Sequence, residues 1–386
     1  MKRNCLFIIL ALLFLLFGCK TEQEITPDTT YPPEHGTEIE HTDDIEKTIN
    51  KVLYNLDELN FTPPEGYISY NTFQWLDDNN LLIGCIRQNN NIDSEYQENK
   101  IYLYSVESKA AVEIYSDENS FTIDSFKVYS YQNNFCIYTT EVALFFENQV
   151  FKENFVSPDN SSRLIHMTVS PQLDYILFWD DNRGVILKNL LTKEEIVTFD
   201  FMKGNIYFVE DNGKKFLYQV KYIEGQSSFY IYDIAESKFN EYSSDIKFDY
   251  SLPLRINGGE VVMFIDLLDE GNKYIYSLDL ANNKKELLFK EFDPFSGNGI
   301  YVNSDYAVYF SEIGNKSQSN PKWIVDGEIV KYDLEKNEHT IISELITGNI
   351  SLLTASSTGN AVFYKLTVYG DNNEFAEERC LILQKP

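Results

Sequence analysis

The stretch Tyr102-Leu103-Tyr104-Ser105-Val106-Glu107-Ser108-Lys109 recurs three times along the chain in similar form. Each copy alternates side chains as a half-buried strand does, and it then ends in a polar turn. Weaker copies begin at Val142, Val185 and Cys380. A strand-and-turn unit that keeps returning indicates a repeat architecture. The strong later copies are Tyr230-Ile231-Tyr232-Asp233-Ile234-Ala235-Glu236-Ser237-Lys238, Tyr274-Ile275-Tyr276-Ser277-Leu278-Asp279 and Val330-Lys331-Tyr332-Asp333-Leu334-Glu335-Lys336.

A second, more continuously apolar strand lies upstream of each copy. From the first start at Leu81 to the last at Ala361, the seven starts are on average about 47 residues apart. Several follow a turn that contains aspartate, asparagine or glycine, residues that favour turns. The seven strands are Leu81 to Ile86, Phe135 to Tyr138, Tyr175 to Trp179, Phe216 to Val220, Val261 to Ile265, Tyr306 to Phe310 and Ala361 to Leu366.

A period of roughly 40–50 residues built from four short strands is typical of a β-propeller blade. The sequence therefore predicts an all-β propeller of seven four-stranded blades; a sandwich or barrel seldom keeps one period for so long. A six-bladed ring stays open as an alternative, because the repeat between Phe121 and Phe155 is short. The chain ends after the third strand of its last repeat. We expect a strand from Lys51 to Leu56 to supply the missing outer strand and close the ring.

One turn carries a family resemblance. The segment from Ser170-Pro171-Gln172-Leu173 into the strand at Tyr175 resembles the Ser-Pro-Asp-Gly turn of TolB-like propellers. Residues 51–386 as a whole are similar to such propellers, in particular to the YqgU-like propeller lipoproteins of Gram-positive bacteria. The turn departs from the signature by lacking its glycine, and the Trp-Asp dipeptide of WD40 repeats is missing. The resemblance implies a fold but no activity that can be carried over to particular residues.

The first eighteen residues have the features of a secretory signal. Lys2 and Arg3 precede thirteen uncharged residues, Cys5 to Phe17, a run too short for the roughly 20 residues of a membrane-spanning helix. Leu16-Phe17-Gly18-Cys19 then resembles the lipobox of bacterial lipoproteins. The resemblance implies cleavage between Gly18 and Cys19, diacylglycerol on the Cys19 sulfur, and fatty acids such as palmitate as anchor. We expect residues 1–18 to be removed and the protein to be held on the extracytoplasmic side of the cell membrane.

Residues 19–50 read as an acidic tether after the lipidated cysteine. Between Lys20 and Asn50 there are nine acids, two lysines and three prolines, a composition that cannot form a packed core. His35 and His41 lie in this segment without further metal ligands, so we interpret them as solvated side chains. The propeller domain is expected to follow as residues 51–386.

Charge restricts the partners. The net charge is −28, or −30 once Lys2 and Arg3 leave with the signal (−28 − 2). Such a field repels nucleic acid, which proteins bind through lysine and arginine. The expected partners are the membrane, through Cys19, and a protein or glycan. Three cysteines remain in the domain, each inside an apolar run, and we interpret all three as core residues rather than as a disulfide framework: Cys85, Cys136 and Cys380.

Catalytic and metal motifs are weak throughout. His166, in a predicted strand, and His339, in a predicted turn, have no His or Cys neighbour at ligand spacing. Acidic pairs could act as glycosidase carboxylates in the channel, but such pairs are also common turn formers, and we favour the turn. The sequence predicts no cofactor and no metal site. The acidic groups are Asp77-Asp78, Asp180-Asp181, Asp266 with Asp269, and Asp371-Asn372-Asn373-Glu374, the last being a turn rather than a calcium loop.

Aromatic residues are abundant, with Tyr and Phe at 27 each. Trp75, Trp179 and Trp323 could form a ligand platform, although packing between blades is the favoured role. The leading functional hypothesis is a non-catalytic surface lipoprotein whose propeller is a binding or assembly platform for a protein or envelope ligand. The alternative is an extracytoplasmic carbohydrate-active enzyme with channel carboxylates, and a third is a structural subunit of an envelope assembly. The sequence does not identify the ligand.

Overall fold

The computed structural model describes most of residues 49–386, all within one compact unit, 47–386. The described ranges are 49–69, 72–87, 98–117, 126–139, 142–156, 167–180, 182–199, 206–211, 213–223, 226–244, 250–257, 260–267, 272–282, 284–292, 300–313, 325–370 and 374–386. These residues contain strands and turns but no helix. The predicted signal segment and nearly all of the predicted tether therefore lie outside the described residues.

The strands form seven antiparallel blades in chain order, which confirms the predicted all-β propeller. Blades 6 and 7 are also hydrogen-bonded to each other, where Val325 to Gly327 pair with Ile346 to Gly348. We number the blades from the N-terminal side. Blade 1 contains β3 (Tyr67–Ile68), β4 (Phe73–Trp75), β5 (Asn80–Arg87), β6 (Asn99–Ser105) and β7 (Ala110–Asp117); blade 2 contains β8 (Lys127–Tyr131), β9 (Asn134–Tyr138), β10 (Val142–Glu147) and β11 (Val150–Val156); blade 3 contains β12 (Thr168–Val169), β13 (Tyr175–Asp180), β14 (Gly184–Asn189) and β15 (Glu195–Phe199).

The remaining blades continue the pattern. Blade 4 contains β16 (Ile206–Asp211), β17 (Lys214–Ile223), β18 (Gln226–Asp233) and β19 (Lys238–Ser244); blade 5 contains β20 (Tyr250–Asn257), β21 (Glu260–Leu267), β22 (Asn272–Asp279) and β23 (Lys284–Phe292); blade 6 contains β24 (Ile300–Val302), β25 (Tyr306–Glu312), β26 (Val325–Asp333) and β27 (Glu338–Ile341); blade 7 contains β28 (Ile346–Ala355), β29 (Ala361–Tyr369), β30 (Phe375–Gln384) and β2 (Asn55–Glu58), and β1 (Ile49–Lys51) runs beside β27.

The repeated sequence motif is the hairpin between the third and fourth strand of a blade. In blade 6 the Asp333 carboxylate accepts hydrogen bonds from the backbone N–H groups of Glu335 and Lys336, at 3.1 and 3.0 Å. Asn337 then adopts φ +55°, a left-handed conformation that asparagine tolerates. The apolar residue after the aspartate, Leu334, is buried. The motif recurs because each hairpin needs the same turn and the same buried anchor.

Packing between blades makes the ring. The buried apolar side chains of the described residues form seven clusters, and each cluster joins two consecutive blades. One joins blade 7 to blade 1, where the rings of Phe73 and Phe363 stack with centroids 4.3 Å apart. A blade cannot cover both of its faces alone, so each face is buried by its neighbour. The seventh interface excludes the six-bladed alternative.

The short second repeat is a complete blade. Its four strands, β8 to β11, pair in order, and Phe135 and Phe146 stack within the sheet at 4.5 Å between ring centroids. The repeat is short because two of its turns are tight. One, at Gln132, joins β8 to β9, and the other, at Asn148 and Gln149, joins β10 to β11. The six-bladed alternative was kept open because this repeat is short, and its length reflects short turns rather than a missing strand.

The N-terminal segment closes the ring, although not with the strand the sequence predicts. We expected Lys51 to Leu56; instead β2 pairs antiparallel with β30, from Asn55 opposite Gln384 to Glu58 opposite Leu381. The preceding β1 pairs parallel with β27 of blade 6. The segment thus spans two blades, because one three-residue break lets the chain change sheets. Val52 and Leu53 lie in that break with 44% and 37% of their surface exposed, whereas Tyr54 is buried.

Candidate functional site

The inner strand of each blade borders the centre of the ring, so we sought the site among those strands. Their turns into the second strand lie at one end of the ring, which we call the turn end; the inner strands begin at the opposite end, the loop end. The inner strands are β3 followed by β4 in blade 1, and then β8, β12, β16, β20, β24 and β28; β28 of the last blade contacts β4 of the first. Most connections at the loop end fall outside the described residues.

Lys127 reaches from one blade toward another across this centre. It is the first residue of β8 in blade 2, and its Nζ lies 5.8 Å from the centroid of the Tyr207 ring on β16 in blade 4. A side chain that bypasses blade 3 must extend through the central channel. Lys127 is the first residue of β8 and Tyr207 the second of β16, which places the pair at the loop end. Burial lowers the pKa of Lys127 even though its side chain keeps an exposed surface, as expected for a group surrounded by the walls of a channel.

Tyr129 lies one step deeper on the same strand. Its ring stacks on Tyr138 at 5.5 Å between centroids, and the hydroxyl groups of these two tyrosines are hydrogen-bonded. Thr168 of blade 3 is hydrogen-bonded to Tyr138 in turn. Burial raises the pKa values of Tyr129 and Tyr138, so both hydroxyls stay neutral hydrogen-bonding groups. This chain of hydroxyls fixes the wall between blades 2 and 3.

Tyr301 of β24 in blade 6 packs against the apolar cluster between blades 6 and 7, with its ring 6.1 Å from the Tyr306 ring between centroids. Burial is the main cause that raises the pKa of Tyr301 to about 12, and the Tyr129 hydroxyl raises it further. Hydrogen bonds with Asn303 and Tyr306 lower this pKa and so oppose the shift. Near Lys127, the described inner strands carry tyrosines from blade 2, at Tyr129, and from blade 4, at Tyr207.

The described inner strands carry few charged residues, and Lys127 lies at the opposite end from the carboxylates. Lys127 is at the loop end, whereas Glu210 and Asp211 close β16 at the turn end, and Arg255 also lies near the turn end of β20. The Glu210 carboxylate accepts a hydrogen bond from the Gln172 amide in the neighbouring blade. Within the described inner-strand residues, the loop end thus has a cation and no carboxylate, in a chain of net charge −28.

The acidic pairs weighed as catalytic carboxylates have other partners. Asp77 and Asp180 are turn formers, as predicted: Asp77 Oδ1 accepts from the N–H groups of residues 79 and 80, and Asp180 Oδ1 from those of residues 182 and 183. Asp266 is on β21, and nothing is described for its side chain. Asp181, Asp269 and residues 371–373 lie outside the described part of the chain.

Asp78 is neither a channel carboxylate nor a local turn former. It accepts hydrogen bonds from Thr358 Oγ1 at 2.6 Å and from Asn360 Nδ2 at 3.2 Å, both in blade 7. Burial alone would raise the pKa of Asp78, but hydrogen bonds from Ser356, Thr358 and Asn360 and the Lys331 charge outweigh it, so the pKa is lowered. We call residues 356–360 the junction turn, because blades 1, 6 and 7 meet there.

The junction turn receives further bonds from blade 6 and from the N-terminal segment. Lys331 Nζ donates to the Thr358 carbonyl at 2.7 Å, and Tyr54 Oη donates to the Gly359 carbonyl at 3.0 Å. The Tyr306 hydroxyl donates to the Ser356 carbonyl. Gly359 adopts φ +68°, and a Cβ there would lie 2.9 Å from the Tyr306 ring, so glycine is needed at this point. This cluster is a device for closing the ring.

The Ser170 turn has the same geometry as the junction turn. Ser170 Oγ accepts from the backbone N–H groups of Asp174 and Tyr175, at 3.1 and 2.9 Å, and Ser356 Oγ accepts from Ala361 N–H at 3.2 Å. Leu173 stands where Gly359 stands in the junction turn, with φ +59°. The missing glycine of the signature is thus replaced by a leucine in a left-handed conformation.

Histidine and tryptophan side chains are packed rather than exposed at a site. The prediction of a turn for His339 was wrong: it is buried in β27, with Tyr309 Oη 3.0 Å from its Nδ1 and the Tyr332 ring 4.6 Å away. Trp75 is buried between blades 7 and 1, as expected, and Trp179 packs half-buried between blades 3 and 4. His166 and Trp323 are outside the described residues.

Cysteines follow the prediction in part. Cys85 and Cys136 are buried, but Cys380 is only half-buried, because it lies near the start of the apolar part of β30. Over the ranges that the structure describes, no group of three or more His, Cys, Asp or Glu could hold a metal ion. The same ranges include no helix long and apolar enough to cross a membrane.

Sequence reasoning did not single out Lys127, Tyr129, Tyr207 or Tyr301. Some inner strands are as short as two residues, as at Thr168–Val169, and longer ones such as β16 do not carry the repeated motif. A usable signal is their position: each precedes, by one turn, the continuous apolar strand that the sequence does reveal.

No protein-family model matches the chain, and no curated protein does. Among solved structures, TolB from Acinetobacter baumannii is 13% identical, with 79% of each chain covered and a TM-score of 0.39. An oligogalacturonate lyase from Vibrio parahaemolyticus is 9% identical, covering 87% of this chain and 98% of that one, with a TM-score of 0.48. The C-terminal WD40 domain of Sif2 is 13% identical, covering 86% and 99%, with a TM-score of 0.42. Structural similarity at this level says nothing about the activity of this chain.

The strand order itself defines the class. Seven antiparallel blades in chain order, seven buried interfaces between blades and a last blade completed by the first part of the chain make this protein a closed seven-bladed β-propeller.

Proposed function

We propose that this chain is a lipid-anchored protein on the extracytoplasmic side of the cell membrane, and that its propeller binds a protein or glycan of the cell envelope without transforming it. The lipobox-like Leu16-Phe17-Gly18-Cys19 supports the anchor, because two acyl chains give stable membrane attachment where one does not. TolB-like propeller lipoproteins of Gram-positive bacteria are the class that the sequence resembles.

The entry point of the chain into the ring is compatible with this arrangement. Ile49 pairs with His339, directly after the turn that ends at Asn337, so the chain enters at the turn end of blade 6. The channel opening that carries Lys127 and Tyr207 is at the other end. A ligand can therefore approach this opening from the side of the ring opposite the point where the chain enters.

The character of the channel carries the proposal that the protein binds rather than catalyses. At the loop end, the described inner strands offer an ammonium group and phenol rings. Glycosidases need two carboxyl groups that flank the scissile bond. The carboxylates that we considered for that role and that are described serve the turns at Asp77 and Asp180 or the ring closure at Asp78.

The test uses the lipidated protein in detergent micelles, immobilised and exposed to purified envelope polysaccharides and proteins. We expect a polysaccharide or protein to be retained and then released unchanged, as judged by chain length in mass spectrometry. Tyr207→Ala should reduce retention at least about tenfold, equivalent to 1.4 kcal/mol. Phe239→Ala, an aromatic side chain on the outer strand of the same blade, is the control and should leave retention unchanged. Shortened chains would instead support the carbohydrate-active alternative, and equal loss in both variants would contradict a channel site.

A further inference from the structure

Lys127 is an unusual lysine in this protein. Several other lysines of the described part form salt bridges, among them Lys100 with Glu113 at 3.0 Å and Lys109 with Asp57 at 2.7 Å. Lys127 forms none with any described residue. It also differs from lysines such as Lys221, which lies over Tyr230 of its own blade, because its ring partner Tyr207 belongs to a blade that is not its neighbour. A cation held over an aromatic face keeps its N–H groups available on the side away from the ring. These donors are directed into the channel between blades 2 and 4.

The position selects for a ligand with one negative charge. A net charge near −30 for the processed chain repels anions at long range, and the repulsion grows with each charge on the ligand. A single ammonium in direct contact can offset that repulsion for a monoanion, because the attraction between opposite charges rises as their distance falls. A polyanion would bring more charge than one lysine can neutralise.

Phenol groups specify the remainder of the ligand. The Tyr207 ring provides an apolar face beside the cation, and Tyr129 lies two residues after Lys127 on the same inner strand. Sugars combine an apolar C–H face with a rim of hydroxyl groups, so they can pack on an aromatic ring and hydrogen-bond to phenols at once.

Resting on the function proposed above, we propose that the loop end of the channel binds a carboxylate-bearing sugar, with Lys127 paired to the carboxylate and Tyr207 supporting the sugar ring. Lys127 and Tyr207 act as binding residues, and no bond in the ligand is made or broken.

The test titrates the lipidated protein in detergent micelles with D-glucuronate, D-glucose and inorganic phosphate, followed by calorimetry and saturation-transfer NMR. D-glucuronate should bind at least about tenfold more tightly than either of the other two, since it alone combines a carboxylate for Lys127 with a sugar ring for Tyr207. Lys127→Met should weaken D-glucuronate binding by the same factor or more. Lys127→Arg, which keeps the charge, should stay within about threefold of the original protein, or roughly 0.7 kcal/mol.

Lys221→Met is the matched control. Lys221 lies 5.1 Å from the Tyr230 ring, but both residues belong to blade 4, so that lysine–tyrosine pair does not bridge the channel. Its loss should leave D-glucuronate binding unchanged. Equal affinities for D-glucose and D-glucuronate, tighter binding of phosphate, or an unaltered affinity in Lys127→Met would each overturn the assignment. If envelope material is still retained through Tyr207 in that case, the binding function stands and only the ligand class is wrong.

Discussion

The carboxylate of Asp78 accepts a 2.6 Å hydrogen bond from the hydroxyl of Thr358, 280 positions later in the sequence. Asp78 is in the first turn of blade 1 and Thr358 in the junction turn of blade 7. Gln384 adds a further link, because its side-chain amide donates a hydrogen bond to the Asp78 carbonyl at 3.1 Å. The two ends of the propeller are thus joined by polar contacts at the turn end, in addition to the strand β2 and the apolar cluster between the blades.

Replacing Asp78 should weaken this closure. In Asp78→Asn the amide keeps one acceptor but places an NH₂ group beside the Asn360 amide or the Thr358 hydroxyl. We expect the free energy of unfolding to fall by about 1–3 kcal/mol, measured by denaturant titration. Asp77→Asn, one position earlier, retains the acceptor of its local turn and should change stability by less than about 0.5 kcal/mol. Equal effects of the two substitutions would show that Asp78 contributes no more than its neighbour.

The same contact predicts a dependence on pH. The pKa of Asp78 is lowered in the folded protein, so its stabilising effect is complete above the ordinary aspartate pKa near 3.9 and is lost as pH falls through the lower folded value. The stability difference between the original protein and Asp78→Asn should therefore be constant near neutral pH and shrink below about pH 4. A difference that grew on acidification would have the wrong sign.

Tyr54 is the buried anchor of the N-terminal segment. Its side chain is 8% exposed, packs in the cluster between blades 6 and 7, and donates to the Gly359 carbonyl. Tyr54→Ala should lower the free energy of unfolding by about 3–5 kcal/mol, the range for large aromatic side chains in cores. Leu53→Ala is the control, because Leu53 is already 37% exposed and should cost well under half as much. Thermal and denaturant melts decide between them.

The three domain cysteines should react in a defined order. Burial is the main cause that raises the pKa values of Cys85, to about 12, and of Cys136 and Cys380. Since the thiolate is the reactive form, alkylation of the folded protein should be slow at neutral pH, and Cys380, which is half-buried, should react first. After unfolding without reductant, three thiols should titrate. A count of one would reveal a disulfide.

Anchoring should depend on Cys19. In the original chain the diacylglycerol on its sulfur is expected to hold the processed protein in the membrane fraction, and Cys19→Ala removes the only acceptor at the expected cleavage point. Radiolabelled palmitate should enter the original chain and not the variant. Cys5→Ala, inside the signal segment, is the control and should not affect labelling. Equal labelling of the Cys19→Ala chain would exclude lipidation at this position.

Local sequence was sufficient for the second and third strand of every blade. Their apolar runs and alternating patterns follow from burial between two neighbouring blades, as for Leu81 to Ile86 and Ala361 to Leu366. The inner strands escaped the same reasoning because some have only two or three residues and the others carry neither the repeated motif nor a uniformly apolar run; Lys127 and Tyr207 come from two of these, β8 and β16. Their proximity depends on ring geometry, which no periodicity encodes.

Contacts between residues far apart in the sequence account for the other differences between the predicted and the observed structure. Ile49 and Asn50 were assigned to the tether and Lys51 to the closing strand, because the strand that they pair with, β27, lies 290 positions away (339 − 49). His339 was placed in a turn by its polar neighbours, yet its ring is covered by Tyr309 and Tyr332. Asp78 looked like its neighbour Asp77 until the ring brought blade 7 beside it.

Closure of the ring by β2 is the central claim, and a register-specific disulfide tests it most directly. Leu56 lies opposite Leu383 in the β2–β30 pair, and directly paired positions have Cβ atoms about 4.5–5.5 Å apart, close to disulfide geometry. Glu58 lies opposite Leu381, so Glu58 and Leu383 are two positions out of register. In full-length protein under mild oxidation, Leu56→Cys with Leu383→Cys should form a 56–383 disulfide, identified by peptide mass spectrometry, while Glu58→Cys with Leu383→Cys should remain reduced. Failure of the first pair, or bridging in the second, would contradict the closure described here.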